Sequence, residues 1–100
     1  MPYFLVKLLA PRASFEIDMT EAEKATMEKH QQYWKSHLDR GNVIVFGPVF
    51  DPAGTYGMGV IIAPNEAGAR TFMSGDPAMK AKIGFDYEIY PMRAVARESD

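Results

Sequence analysis

The sequence predicts an α+β fold in the order strand, helix, strand, strand, helix, strand. Three observations predict it. Four apolar runs of strand length, rich in β-branched and aromatic residues, occupy residues 3–9, 43–50, 56–63 and 85–91. A long stretch from Glu21 to Arg40 contains neither Gly nor Pro and carries apolar residues at helical spacing. A shorter stretch with a helix-cap signature, starting at Asn65, separates the third strand from the fourth.

The first strand, YFLVKLL, is closed by Pro11, and residues 12–19 read as a connection rich in turn formers. Thr20 followed by Glu23 forms a capping box for the long helix, with Asp18 as a rival cap. Gly41 after Arg40 is the C-terminal stop. Met27, Gln31, Trp34 and Leu38 share one face of this helix; His30 and His37 lie on its flank, and Tyr33 lies further round. In the strand VIVFGPVF, Gly47-Pro48 reads as a bulge or bend near its end. DPAGTYG supplies a turn, with Pro52 at its second position and Gly54 available for positive φ, so the next strand returns as a hairpin. Asn65 caps the second helix, which runs to Gly75. Asp76-Pro77 then opens a short helical turn, because Asp caps and Pro fits the first helical position. FDYEIYP alternates as the last strand, and MRAVARESD reads as a tail that frays or packs on a partner.

One hundred residues make a single domain, 1–100, able to bury a core without staples. The formal net charge of -2 gives no electrostatic reason to expect nucleic acid or an anionic membrane. With no cysteine, disulfides, thiolate metal sites and a cysteine nucleophile are excluded. The N-terminal apolar run has no basic region before it and reads as a strand, and no run is long enough to span a membrane. The expected compartment is the cytoplasm.

The order βαββαβ suggests a ferredoxin-like split: a four-stranded antiparallel sheet with two helices on one face. Two helices leave the other face bare. Both faces of VIVFGPVF are apolar, and a second copy of the sheet is the commonest cover, so a homodimer is expected. The cleft between sheet and partner is then the natural pocket.

Four segments in order, HQQYWKSHLDRGNVIVFGPV, DPAGTYGMGVIIA, Asp76-Pro77 and IGFDYEIYPM, resemble the YCII-related (YciI-like) proteins. The resemblance covers most of the chain. It implies the ferredoxin-like fold, sheets paired as a dimeric α+β barrel, and a His–Asp pair facing a pocket. His30 and Asp76 match that pair. The residue after the Asp-Pro is often aromatic in the family and is Ala78 here, which touches the expected pocket wall. A few relatives act, without a cofactor, on small chlorinated or hydroxylated products of aromatic rings.

A carboxylate beside a histidine fixes the tautomer and stabilises the imidazolium, so such a histidine can move protons near neutral pH. The expected function is therefore a cofactor-independent enzyme performing acid/base proton transfer, an isomerisation or a dehydrochlorinase-like elimination, on a small, partly apolar, cyclic molecule. His30 is the base and Asp76 orients it; Gly47, Pro48 and Pro77 are the expected pocket residues. The alternative is a small-molecule binding or regulatory module with no turnover. Asp76 is fully explained as a helix cap as well, and Asp51 as a turn residue. His37 reads as surface or interface, where an imidazolium would meet the helix dipole favourably. Trp34 and Met27 read as core. The glycines of YGMG form no phosphate loop, since no strand-to-helix junction follows them. His30, His37 and Asp76 would supply at most three metal ligands, and no metal is expected. Pro2, if it headed the chain, would offer a secondary amine as base, but it is equally a tolerated edge residue.

Overall fold

In the computed structural model, which describes residues 2–97, the first strand shows how the sequence sets the layers. Along β1 (Tyr3–Leu9) Phe4, Val6 and Leu8 are buried and the residues between them only half-buried. This alternation is what one core-facing strand surface requires. The chain continues through α1 (Phe15–Asp18), α2 (Glu21–Arg40), β2 (Val43–Val49), β3 (Tyr56–Ile62), α3 (Glu66–Ser74), α4 (Pro77–Lys80) and β4 (Asp86–Met92). The four strands form one sheet in the order β2-β3-β1-β4, with every neighbouring pair antiparallel. That is the ferredoxin-like α+β arrangement the element order suggests.

Trp34 from α2, Ala69 and Met73 from α3 and Ala78 from α4 join Phe4, Val6, Leu8, Val43 and Ile61 in one core. These helices therefore cover the same sheet face. The long helix begins at a complete capping box: the Thr20 hydroxyl accepts from the Glu23 amide, and the Glu23 carboxylate accepts from the Thr20 amide. Thr20, not Asp18, is the cap; Asp18 instead accepts from Ser14 and Arg12. Gly41 ends the helix in the left-handed conformation, at φ 88. Asn65 caps α3 by accepting from the Gly68 amide, and Asp76 caps α4.

Two local expectations are corrected. The segment 12–19 contains a one-turn helix, α1, anchored by buried Phe15 edge-on to Phe85 at 5.0 Å. Gly47 and Pro48 do not break the β2 ladder; they pair regularly with Met58 and Gly57, and the irregularity falls between Val43 and Val45. Pro48 is tolerated because β2 is an edge strand, where a missing N–H can face away from the sheet. Pro91 sits in the other edge strand, β4.

The face away from the helices carries a row that crosses all four strands: Val45, Val60, Leu5 and Tyr90. Val45 and Tyr90 are 49% and 46% exposed. In the next row Lys7 pairs with Glu88 at 4.0 Å and lies over the Tyr56 ring. Residues 93–97 have no regular structure, and the end of the expected tail lies outside the described residues. No helix among the described residues is long and apolar enough to cross a membrane.

Candidate functional site

Gly57 and Gly59 of β3 face the helices and make room where side chains would fill it. A Cβ on Gly59 would lie 2.3 Å from Cζ3 of Trp34, so the indole rests directly on the strand backbone. Phe46, with ring centres 5.7 Å apart, and the edge-on Phe72, at 4.8 Å, hold the indole in place. A buried indole N–H needs an acceptor. Trp34 Nε1 donates to Asp76 Oδ2 at 2.7 Å.

Asp76 is fully buried, 0% exposed. Its Oδ1 accepts from the Ala78 amide at 2.9 Å, the N-cap bond of α4. Both carboxylate oxygens lie 2.9 Å from Nδ1 of His30. Three protein donors therefore converge on one buried carboxylate, which is how a buried charge is tolerated. A carboxylate only accepts, so Nδ1 is the protonated nitrogen of neutral His30, and Nε2 is left with its lone pair. Nε2 makes no hydrogen bond among the described residues.

His30 lines a cavity of about 610 Å³ between the middle of α2 and the sheet. This is the size of a small-molecule site. Met27, His30, Gln31 and Trp34, at positions i, i+3, i+4 and i+7, supply the helical wall. Val6, Leu8, Phe46 and Gly57 form part of the sheet side, and Phe15, Glu16, Phe50, Thr55 and Phe85 also line it. Asp76 does not line the cavity; it stands behind the histidine.

Of the residues expected at the pocket, Gly47 and Pro48 line the cavity and Pro77 does not. Pro77 is the first residue of α4, and its geometry serves the helix start. Ala78 is buried in the core and is not part of the wall, so the missing aromatic ring leaves this cavity unshaped by it. Pro2 is also absent from the lining; its carbonyl accepts from the Ala63 amide. Sequence reasoning missed the Trp34–Asp76 bond. The 42-residue separation carries no local signal, although a lone tryptophan on a core-facing helix stripe raises the question of what its N–H meets.

His37 is half-buried against Tyr33 and Phe72, and its Nδ1 lies 3.1 Å from the Asn42 side-chain amide. Burial, with Arg40 nearby, pushes its pKa below the ordinary histidine value. Both effects work against the favourable meeting of an imidazolium with the helix dipole. Tyr33 donates to the Phe72 carbonyl at 2.6 Å, and burial with the Asp76 charge raises its pKa. Arg12 holds Glu23 through a two-pronged contact at 2.8 and 2.9 Å. That contact, with the cap bond, lowers the Glu23 carboxyl to about 2. Among the described residues no three His, Asp or Glu side chains converge as a metal site would need.

Fold and site together define an α+β sandwich that carries a buried histidine–carboxylate pair beside a largely apolar cavity. The model of the YCII-related domain matches residues 1–93, and the chain belongs to that family. No curated protein matches the sequence with significant similarity.

Proposed function

We propose that this protein is a cofactor-independent acid/base enzyme acting on a small, partly apolar, cyclic molecule. The carrying observation is the two-point contact between Asp76 and Nδ1 of His30, which leaves Nε2 as the acceptor on a ring that lines the cavity. In this reading Nε2 takes a proton from a carbon next to a carbonyl. The C–H electron pair moves into the carbonyl as an enolate. It then either recovers the proton at another atom, an isomerisation, or forms a C=C bond as a neighbouring halide or hydroxide leaves, an elimination. Asp76 keeps the ring in one tautomer and stabilises the imidazolium formed in between. The apolar wall raises the strength of that charge interaction by excluding water.

The reading includes a homodimer joined through the helix-free sheet face. Its support is the Val45–Val60–Leu5–Tyr90 row, whose outer members Val45 and Tyr90 remain half open in the single chain while Val60 is already buried.

Deuterium wash-in tests the chemistry without knowledge of the natural substrate. Cyclic ketones, lactones and hydroxylated rings are incubated with the protein in D2O and followed by proton NMR. Wild type should accelerate exchange at the position next to the carbonyl, and His30→Ala should not. A cavity that binds these compounds while leaving exchange at the background rate would mark a binding module in place of an enzyme.

A further inference from the structure

Glu16 is the one fixed charge in the cavity lining; among the described residues no Lys or Arg lines it. It comes from α1, on the segment leading into α2. Thr55, just before β3, also lines the cavity, and its hydroxyl donates to Glu16 Oε2. The contact joins two segments 39 residues apart. Thr55 spends its proton on Glu16. The other Glu16 oxygen has no hydrogen bond among the described residues. Glu16 and Thr55 therefore present acceptors to the cavity: a carboxylate oxygen and the lone pairs of a hydroxyl.

We propose that Glu16, positioned by Thr55, is the specificity-determining residue of this cavity, selecting ligands that bring a hydroxyl or ammonium group and rejecting anions. This rests on the reading of the cavity as the substrate site and goes beyond it by fixing the charge class of the substrate. A hydroxyl or ammonium donates to the carboxylate in a charge-assisted hydrogen bond. A ligand carboxylate or phosphate would face like charge, with no cation in the wall to offset it. The apolar walls hold the ring between this acceptor end and His30. The substrate is then an uncharged or cationic hydroxyl- or amine-bearing ring, not an acid or a phosphate ester.

The test reads binding, so it stands apart from whether protons are transferred. Three ketones with one ring and different ends are titrated into the labelled protein and followed by amide NMR: 4-hydroxycyclohexanone, 4-aminocyclohexanone and 4-oxocyclohexanecarboxylate. Wild type should bind the first two about two- to fivefold more tightly than the third, the scale of one exposed charge contact, since Glu16 is itself exposed. Glu16→Gln keeps the size of the side chain and can still meet Thr55, so it preserves the mouth. It should erase the preference for the amine over the carboxylate. Glu16→Ala should lose the gain shown by the hydroxyl compound as well. An unchanged order of affinities in Glu16→Gln would overturn the proposal. So would wild type that binds the acid as well as the amine, or that binds none of the three.

Discussion

Trp34 and His30 share one carboxylate: the indole N–H meets Asp76 Oδ2 at 2.7 Å, and the imidazole Nδ1 lies 2.9 Å from both oxygens of the same group. The candidate base and the centre of the core are thus tied to a single buried atom group. Substitutions at any of the three should affect both stability and the cavity.

Asp76→Ala would strand the Trp34 N–H, the Ala78 amide and the His30 ring nitrogen in the interior. It should cost about 3–5 kcal/mol, as breaking a buried charged contact by removing one partner does. Asp76→Asn keeps one acceptor oxygen but turns an NH2 toward a donor, and should cost about 1–3 kcal/mol. Urea denaturation of both variants checks the order. Asp76→Asn is therefore the variant to pair with His30→Ala in any activity assay.

Trp34→Ala should cost about 3–5 kcal/mol, since the ring is 3% exposed and packs between Phe46 and Phe72. Trp34→Phe keeps much of the ring and loses only the bond to Asp76, so its loss should be smaller, about 1–3 kcal/mol. Equal losses in the two would mean that the hydrogen bond carries the whole effect and the ring packing none.

Gly59→Ala places a methyl where Cζ3 of Trp34 sits, 2.3 Å away, on rigid strand backbone. The indole must move while its N–H is held by Asp76, an overpacking expected to cost about 1–3 kcal/mol. Trp34 is the sole tryptophan, so its fluorescence reports the displacement directly. An unshifted emission maximum with unchanged stability would contradict the close packing.

The Arg12–Glu23 contact predicts an acid-side dependence. Glu23 has a folded pKa of about 2 against an ordinary 4.5, because Arg12 and the Thr20 amide bond its ionised form. A lowered acid pKa contributes stability that is fully present above about 4.5 and declines as pH falls toward 2. Wild type should therefore lose more stability than Glu23→Gln between pH 5 and about 2, measured as the difference in urea midpoints. Parallel curves for the two proteins would remove Glu23 from the account.

Much of this structure is legible in the sequence where the signal is local. The Thr20–Glu23 box, Gly41, Asn65 and the Asp76-Pro77 start are each set by side chains within a few residues of the backbone groups they satisfy. In YFLVKLL, by contrast, only Lys7 breaks the apolar run, so the inward face of Phe4, Val6 and Leu8 needed the fold to show it. The one-turn helix α1 was not legible, because four residues carry no periodicity and Phe15 is fixed by contact with distant Phe85. Gly47-Pro48 misled for a related reason: the local break signal is real, but an edge strand tolerates it. At the site, the pairing of His30 with Asp76 came from resemblance to a family. The roles of Trp34, Gly59 and Glu16 required the fold, because each depends on a partner brought close by the sheet.

The most direct test of the central claim is the tautomer of His30, read from long-range proton–nitrogen NMR of the uniformly labelled protein at a pH where the ring is neutral. The account predicts a proton on Nδ1, held by Asp76, and a bare Nε2 able to accept a proton from a ligand. The pattern should be lost or mixed in Asp76→Asn. A neutral His30 protonated at Nε2 in the wild type would contradict the account, because the nitrogen assigned as the base would already carry its proton.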